Sequence, residues 1–407
     1  MAIVVPKPAR EPRLIGSPTV TWFELFYDLV VVAAVSLTND VFLARPTAGT
    51  AVTAAICMTA LAWVWFLTTL FNNLFPGQDI LRRLLLVLQM GAIVVAGLAA
   101  DQDHGITNRA GLVAYGIALV IVAVLIVSGG RRAGGPVPRA TVLALALAAA
   151  ICCLGGLDAN LHSGYYLVAA LVVSMVPILL RQYSQWRDHS QLRLDHLRER
   201  LGLFVLIILG EGFAQLVSAL HAMGSIPRGD LFALMFLMSF ALWWIYFDGT
   251  FSRHTDLTTV RWRLTLLAHL TLVFGIAGTL DILILLTSAE ASELGDEALA
   301  YFVACLATVL LSFAAIGYTA RGRVSIAGWV QVGSALLVLV VGLLLVSSDD
   351  EVMYAVIALA SAVVVGNAIL AVWADEAGTR RRWSSTLRPA LLGENPEQDI
   401  PDETWSV

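Results

Sequence analysis

Two carboxylates stand near the start of an apolar stretch, WFELFYDLVVV. Glu24 and Asp28 are four residues apart, so a helix places them one turn apart on the same face. A carboxylate is costly to keep inside a membrane span, and such a residue is by default a candidate for function. This pair is the first place where chemistry is expected.

A second group of ionisable residues opens the stretch DHLRERLGLFVLIILGEG. His196, Glu199 and Arg200 stand at helical spacings i, i+3 and i+4. Glu211 follows about 16 Å further along the helix axis, at 1.5 Å per residue. No basic residue is expected at its depth in any span. Glu211 is therefore expected to be protonated, hydrogen-bonded to a neighbour such as Gln215, or exposed to a water-filled cavity.

Two later stretches add one titratable residue each. Asp248 lies in WWIYFDGTF, and His269 lies in RLTLLAHLTLVFGIAG, about 9 Å along the helix from Arg263. Glu211 is expected near the midplane of the membrane. The other candidate residues are expected in its cytoplasmic third: Glu24, Asp28, His196, Glu199, Arg200, Asp248 and His269.

Three kinds of chemistry fit these polar residues. The carboxylates of the first stretch could form a structural ion-pair network with Arg200 or Arg263, because buried charges need partners whatever their function. Carboxylates and histidines could also carry protons in a transport site. The His-x-x-Glu of residues 196–199 offers metal ligands, but the chain lacks the doubled Glu-x-x-His of di-iron bundles. Neither a metal nor another cofactor is expected, and no catalytic residue is assigned.

The elements that must position these residues are transmembrane helices. Of the 407 residues, 58% are hydrophobic and 14% are charged, which excludes an ordinary cytosolic enzyme. A helix needs about 20 apolar residues to cross a bilayer. Twelve spans are predicted, near residues 20–43, 50–72, 83–100, 108–128, 140–157, 164–181, 197–221, 230–251, 264–288, 297–318, 325–347 and 352–374.

The basic residues predict which side each loop faces. With both termini in the cytoplasm, 22 of the 25 Lys and Arg residues fall on the cytoplasmic side, leaving only Arg45, Arg109 and Arg228 outside. One miscounted span would reverse every later loop and destroy this segregation. The sequence therefore predicts an all-α polytopic membrane protein with cytoplasmic N and C termini.

The twelve spans also suggest two parallel six-helix pseudo-repeats. The segment from Trp63 to Gln89 recurs 180 residues later, from Trp243 to His269, with the same spacing of aromatic and arginine residues. The expected regions are a cytoplasmic arm (1–19), a first half (20–181), a cytoplasmic linker (182–196), a second half (197–375) and a disordered cytoplasmic tail (376–407).

The runs ELFYDLVVV, HLRERLGLFVLIILGEG and WWIYFD resemble the bacterial low temperature requirement protein A (LtrA) family. The resemblance extends over roughly residues 14–375 and departs where family members usually have Ser, at Gly212. It implies a multi-pass membrane protein linked by name to growth in the cold, and it supplies no reaction. By resemblance the family's polar positions are Glu24, Asp28, His196, Glu199, Arg200, Glu211, Asp248 and His269.

A transporter-like or ion- and proton-coupled protein of the bacterial inner membrane is the favoured function, because two six-span halves suit alternating access. The alternatives are an intramembrane enzyme acting on a lipid or isoprenoid substrate, and a structural or regulatory membrane protein. The expected partners are the bilayer, anionic lipids at Arg380–Arg382, and a small solute, ion or lipid. No nucleic acid is expected, and a homo-oligomer is left open. The tryptophans, including Trp63 and Trp65, are expected to be interfacial anchors.

Overall fold

The computed structural model describes residues 20–45, 47–75, 77, 79–100, 108–132, 137–158, 163–179, 193–223, 229–251, 261–288, 291–345 and 350–382. The predicted N-terminal arm, most of the linker and the tail beyond residue 382 lie outside these residues. Within them the chain forms twelve α-helices and no β-strand.

The helices are numbered in chain order. The first half of the chain contains α1 (Trp22–Ala44), α2 (Ala48–Leu74), α3 (Ile80–Leu98), α4 (Arg109–Arg132), α5 (Arg139–Leu157) and α6 (Ser163–Leu179). The second half contains α7 (Leu194–Met223), α8 (Gly229–Trp244), α9 (Arg261–Ser288), α10 (Ala291–Arg321), α11 (Ile326–Leu344) and α12 (Asp350–Arg382). A π-helical segment, Ile245–Phe251, continues α8.

Eleven of these helices contain an apolar stretch long enough to cross a bilayer. The apolar stretch of α6, Gly164–Pro177, is shorter than the others. Large apolar side chains also cover outward faces, as at Leu84 and Leu88 on α3, whose opposite face is buried. Exposed apolar surface of this extent suits contact with lipid rather than water. The chain is a multi-pass, all-α membrane protein, as its composition predicts.

Several helices extend beyond the predicted spans, α7 and α12 among them. Helix α7 begins at Leu194, so His196 lies in its first turn. An acidic residue, Asp195, lies in that first turn, where its negative charge interacts favourably with the positive end of the helix dipole. Helix α12 continues to Arg382, so the first residues of the predicted tail are helical. Apolar length alone misses such polar helix ends.

Helix α2 lies at the centre of the bundle and contacts α1, α4, α6, α7, α9 and α10. Trp63 and Trp65 are fully buried on it, so the expectation that they are interfacial anchors was wrong. The Trp65 ring stacks on Phe204 of α7 at a centroid distance of 4.0 Å. An anchoring indole must reach the headgroup region, and a helix surrounded by protein gives these rings protein neighbours instead.

Helix α1 packs against α2, α3, α7 and α9. Its close approach to α3 depends on Gly97, where an added Cβ would lie 2.9 Å from the carbonyl oxygen of Ala34. Its N-terminus is a capping box, in which Thr21 and Glu24 satisfy each other's backbone amides. These contacts determine where the first two carboxylates point.

Candidate functional site

The centre of the site is a buried ion pair between α1 and α7. The Nη2 of Arg200 lies 2.5 Å from the Oδ1 of Asp28, and both side chains are completely buried. The indole nitrogen of Trp65 donates to the same carboxylate oxygen at 2.5 Å. Arg200 also donates to the hydroxyl of Thr69 at 3.3 Å. One carboxylate thus connects three helices, because Trp65 and Thr69 belong to α2.

This ion pair is incompletely satisfied. The second carboxylate oxygen of Asp28, Oδ2, has no hydrogen-bond partner among the described residues, and neither does the Nε of Arg200. Buried polar atoms nearly always have a partner, so each such atom requires an explanation. Asp28 therefore has one oxygen engaged by two donors and one oxygen able to accept another.

Glu24 extends the pair towards the end of the bundle. Its Oε1 lies 3.6 Å from the Nη1 of Arg200, and its Oε2 lies 3.5 Å from the Nε2 of His196. The same Oε2 accepts from the backbone amide and the hydroxyl of Thr21, each at 3.0 Å. Glu24 is thus both a helix cap and a member of the charged group. Asp28, Arg200, Glu24 and His196 form a connected series of contacts, here named the inner cluster.

The end of α2 clamps the start of α7 beside the inner cluster. Asn73 donates to the carbonyl of Arg193 at 2.7 Å and accepts from its backbone amide at 2.9 Å. The side-chain nitrogen of Asn73, Nδ2, also lies 3.5 Å from the Nδ1 of His196. This contact limits the orientations of the histidine ring and holds it against Glu24.

Glu211 occupies a separate position on the same pair of helices. The hydroxyl of Ser36 on α1 donates to its Oε1 at 3.0 Å, and Gln215 lies 3.4 Å from the same oxygen. Gln215 also donates to Ser36. The half-buried carboxylate therefore has hydrogen-bond donors around it.

His269 is held by neutral groups within the second half. Its Nδ1 lies 2.6 Å from the carbonyl oxygen of Thr265, and its Nε2 lies 3.0 Å from the hydroxyl of Tyr246. A carbonyl can only accept, so Nδ1 carries the proton and Nε2 accepts from the tyrosine. Within the described residues neither contact connects this ring to the inner cluster.

The remaining two candidates, Asp248 and Glu199, differ in their exposure and in the element on which they lie. Asp248 is exposed and lies in the π-helical segment after α8. Glu199 is half-buried, and no hydrogen bond or ion pair joins it to the inner cluster within the described part of the chain. The direct contacts therefore bring together four of the eight predicted residues.

No group of three or more His, Cys, Asp or Glu side chains among the described residues is arranged to hold a metal ion. The physical reason at the inner cluster is Arg200, whose guanidinium contacts both carboxylates. A cation of the protein thus already occupies the position that a metal would need.

Two cavities meet beside the inner cluster. The first, named the polar cavity, has a volume of about 140 Å³. It is lined by Thr21, Phe23, Glu24, Asn72, Gly77, Arg82, Arg83, Leu86, Arg193 and His196. The second, named the apolar crevice, has a volume of about 280 Å³. It is lined by Phe71, Leu74, Phe75, Gly77, Asp79, Leu81, Arg82, Leu85, Ser128, Gly129 and Arg132.

Comparison with known protein families matches residues 19–365 to the bacterial low temperature requirement A protein (LtrA). The chain belongs to the LtrA family. It is also 28% identical over 281 residues to an uncharacterized protein of Rhizobium meliloti (strain 1021). That match covers 63% of this chain and 66% of the Rhizobium protein.

In this LtrA family member, sequence reasoning missed the residues that α2 contributes to the site. Trp65, Thr69 and Asn73 all contact the inner cluster or the start of α7. A signal was present, because TTLFNNL places polar residues at i, i+1, i+4 and i+5 at the end of an apolar helix. Without a charge among them, these residues resembled an ordinary helix end.

Proposed function

We propose that this LtrA family member is a transporter-like protein of the bacterial inner membrane, in which proton binding at the inner cluster is coupled to movement of α1 against α7. The observation that carries the proposal is the buried Asp28–Arg200 pair with one unpartnered carboxylate oxygen. A charged pair across a helix interface is a contact that protonation can switch.

The proton-binding step would take place at Asp28. Its Oδ2 can take a proton without displacing Trp65 or Arg200, since both donate to Oδ1. The neutral acid would no longer balance the guanidinium of Arg200, and the attraction between α1 and α7 would weaken. Desolvated charges make this change larger than it would be in water.

Glu24 and His196 would connect Asp28 with the surface. Glu24 contacts Arg200 on one side and His196 on the other, and both Glu24 and His196 line the polar cavity. Histidine changes charge near neutral pH and can therefore relay protons. Glu211 would respond to the same movement, because its donor Ser36 belongs to α1.

The proposal includes two parallel six-helix halves with cytoplasmic termini. Corresponding helix contacts support the halves: α1–α3 and α7–α9, α3–α4 and α9–α10, and α4–α5 and α10–α11. Gln89 and His269, which occupy equivalent positions of the repeat, both hydrogen-bond to a residue of the preceding helical segment, Gln89 to Thr68 at 3.1 Å and His269 to Tyr246 at 3.0 Å. The segregation of basic residues supports the orientation. A transport activity needed at low temperature would suit the name of the family.

A proteoliposome flux assay tests the proposal. The full chain is reconstituted with a pH-sensitive dye inside the vesicles, and proton, cation and solute gradients are applied in turn. We expect Asp28→Asn and Glu24→Gln to abolish coupled flux. Gln can replace Glu in a capping box, so the second variant keeps the cap of α1. Asp158→Asn, at the end of α5, is the matched control. Equal flux in the wild type and both cluster variants would contradict proton coupling.

A second candidate is an intramembrane enzyme that acts on a lipid or isoprenoid substrate. The observation in its favour is that an acid–base pair, Glu24 and His196, lines a cavity that adjoins an apolar crevice. Incubation of the purified protein with bacterial lipid extract, followed by mass spectrometry, tests it. Turnover that is lost in His196→Ala, without any flux in the first assay, would favour the enzyme. The absence of both activities would favour a structural or regulatory role.

A further inference from the structure

Arg82 is a buried arginine whose direct partners are neutral. Its side chain donates to the Oδ1 of Asn72 at 2.6 Å and to the carbonyl of Phe75. Its guanidinium also lies over the ring of Phe71, 4.6 Å from the centroid. No carboxylate among the described residues is within ion-pair distance of it. A buried guanidinium held in place without a contacting anion is suited to receive one from outside.

Arginines predominate among the charged residues that line the polar cavity. Three of them line it, Arg82, Arg83 and Arg193, together with one acidic residue, Glu24. Glu24 already contacts Thr21, His196 and Arg200, so it is not free to pair with the arginines that line the polar cavity. Guanidinium groups from different elements around one small cavity match the oxygens of a phosphate group.

The apolar crevice extends from the same point. Gly77 and Arg82 line both cavities, so the two spaces adjoin each other at these residues. Beyond this point the lining is largely apolar, with Phe71, Leu74 and Leu85 among its residues. The charge of Arg132 at this crevice is paired with Asp79. A ligand that fills both spaces must be anionic at one end and apolar at the other.

We infer that the polar cavity and the apolar crevice together bind one anionic phospholipid, with its phosphate group against Arg82, Arg83 and Arg193. An acyl chain lies in the crevice. This inference goes beyond the proposed function and does not depend on it, because binding requires neither flux nor turnover. Free phosphate offers the same oxygens, but it leaves the crevice unfilled.

Equilibrium binding to the purified full chain in detergent tests the inference, with native mass spectrometry as the readout. The probes are dioctanoyl phosphatidic acid, dioctanoyl phosphatidylcholine and inorganic phosphate. We expect phosphatidic acid to bind more tightly than either of the others. The double variant Arg83→Gln/Arg193→Gln should lower its affinity roughly tenfold or more, as two charge-assisted contacts are lost. Arg139→Gln, an exposed arginine at the start of α5, is the matched control and should bind like the wild type.

A second pair of variants tests the crevice. Leu81 lines the crevice and is half-exposed, so Leu81→Trp should fill the space without disturbing the core. Leu84 is on the same helix and lines neither cavity. We expect Leu81→Trp to weaken phosphatidic acid binding and leave phosphate binding unchanged, and Leu84→Trp to change neither.

Three outcomes would overturn the inference. Equal affinity for inorganic phosphate and phosphatidic acid would show that the crevice contributes nothing. Equal loss in the Arg139 control and the double variant would show that only general surface charge attracts the lipid. Unchanged binding in the double variant would place the lipid elsewhere. If the double variant fails to fold, Arg83→Gln alone replaces it, since Arg83 is exposed.

Discussion

Helices α1 and α7 contact each other through two polar pairs of different character. At one level Asp28 meets Arg200, both fully buried, so a carboxylate is balanced by a cation. Further along the same helices Ser36 meets Glu211, where a half-buried carboxylate is surrounded by neutral donors. The difference shows that one interface can contain both a carboxylate matched by a cation and a carboxylate held by neutral hydrogen-bond donors.

The distribution of basic residues explains this difference. Arginine is costly deep in a membrane, and in this chain the basic residues are concentrated near the ends of the predicted spans. Arg200 lies two turns inside α7 and can reach Asp28, whereas Glu211 is about 16 Å further along the axis. Charge matching is therefore available only near the end of the bundle.

Two other pairs extend the comparison, because one is buried without charge and the other is charged without burial. Tyr246 and His269 are both buried and form a neutral hydrogen bond. Asp79 and Arg132 form an ion pair that remains exposed to solvent. We therefore expect the loss of stability in variants of the four pairs to be largest where a buried charge is left without its partner and smallest where the pair is exposed.

The largest effect is expected for Arg200→Gln. Removal of the guanidinium leaves the Asp28 carboxylate buried without its cation, and loss of one partner of a buried pair costs about 3–5 kcal/mol. The free energy of unfolding in detergent, followed by denaturant titration, measures this loss. The double variant Asp28→Asn/Arg200→Gln should recover part of it, because the isolated charge is gone. A double variant as unstable as the sum of the singles would show that the pair is not coupled.

A smaller loss is expected for Tyr246→Phe. The Nε2 of His269 would lose its donor in a buried site, and an unsatisfied buried acceptor costs about 1–3 kcal/mol. The same titration measures it, with Tyr318→Phe, at a partly exposed tyrosine on α10, as the control. A loss as large as that of Arg200→Gln would mean that burial, rather than charge, dominates these contacts.

Glu211→Gln should change stability still less, by about 0.5–1.5 kcal/mol at most. The amide oxygen of Gln can still accept from Ser36, and among the described residues no ion pair joins Glu211 to a cation. Thermal unfolding in detergent is the measurement, and Ser36→Ala should have a similar effect. A loss of several kcal/mol would reveal a charge interaction at Glu211 and would remove the contrast with Asp28.

The smallest effect is expected at the exposed ion pair. The backbone amide of Arg82 and the guanidinium of Arg132 hold the pKa of Asp79 below its usual range. Its stabilising contribution is therefore present at neutral pH and is lost as the pH falls through this lowered pKa. Asp79→Asn keeps the cap of α3 and should slightly flatten the acid side of the stability profile. A profile identical to that of the wild type would show that this pair contributes nothing.

Most of the fold could be predicted from the sequence. The length and apolar composition of each stretch are enough to predict a helix there, so the predicted spans correspond to α1–α12 with modest differences at their ends. The capping residues Thr21 and Glu24 also act locally, and they begin α1 close to the predicted position. Local signals fail mainly at polar helix ends, as at the start of α7.

The candidate site could be predicted only in part. The sequence by itself determined which ionisable residues lie on the apolar helices and how far apart they stand along each helix axis, because the rise along a helix is constant. Only the tertiary structure decided that Arg200 pairs with Asp28, that Trp65 and Thr69 complete the pair, and that His269 bonds to Tyr246 instead. Spacing along the axis is a property of one helix, whereas a contact depends on how neighbouring helices rotate and pack, which depends on all their faces at once.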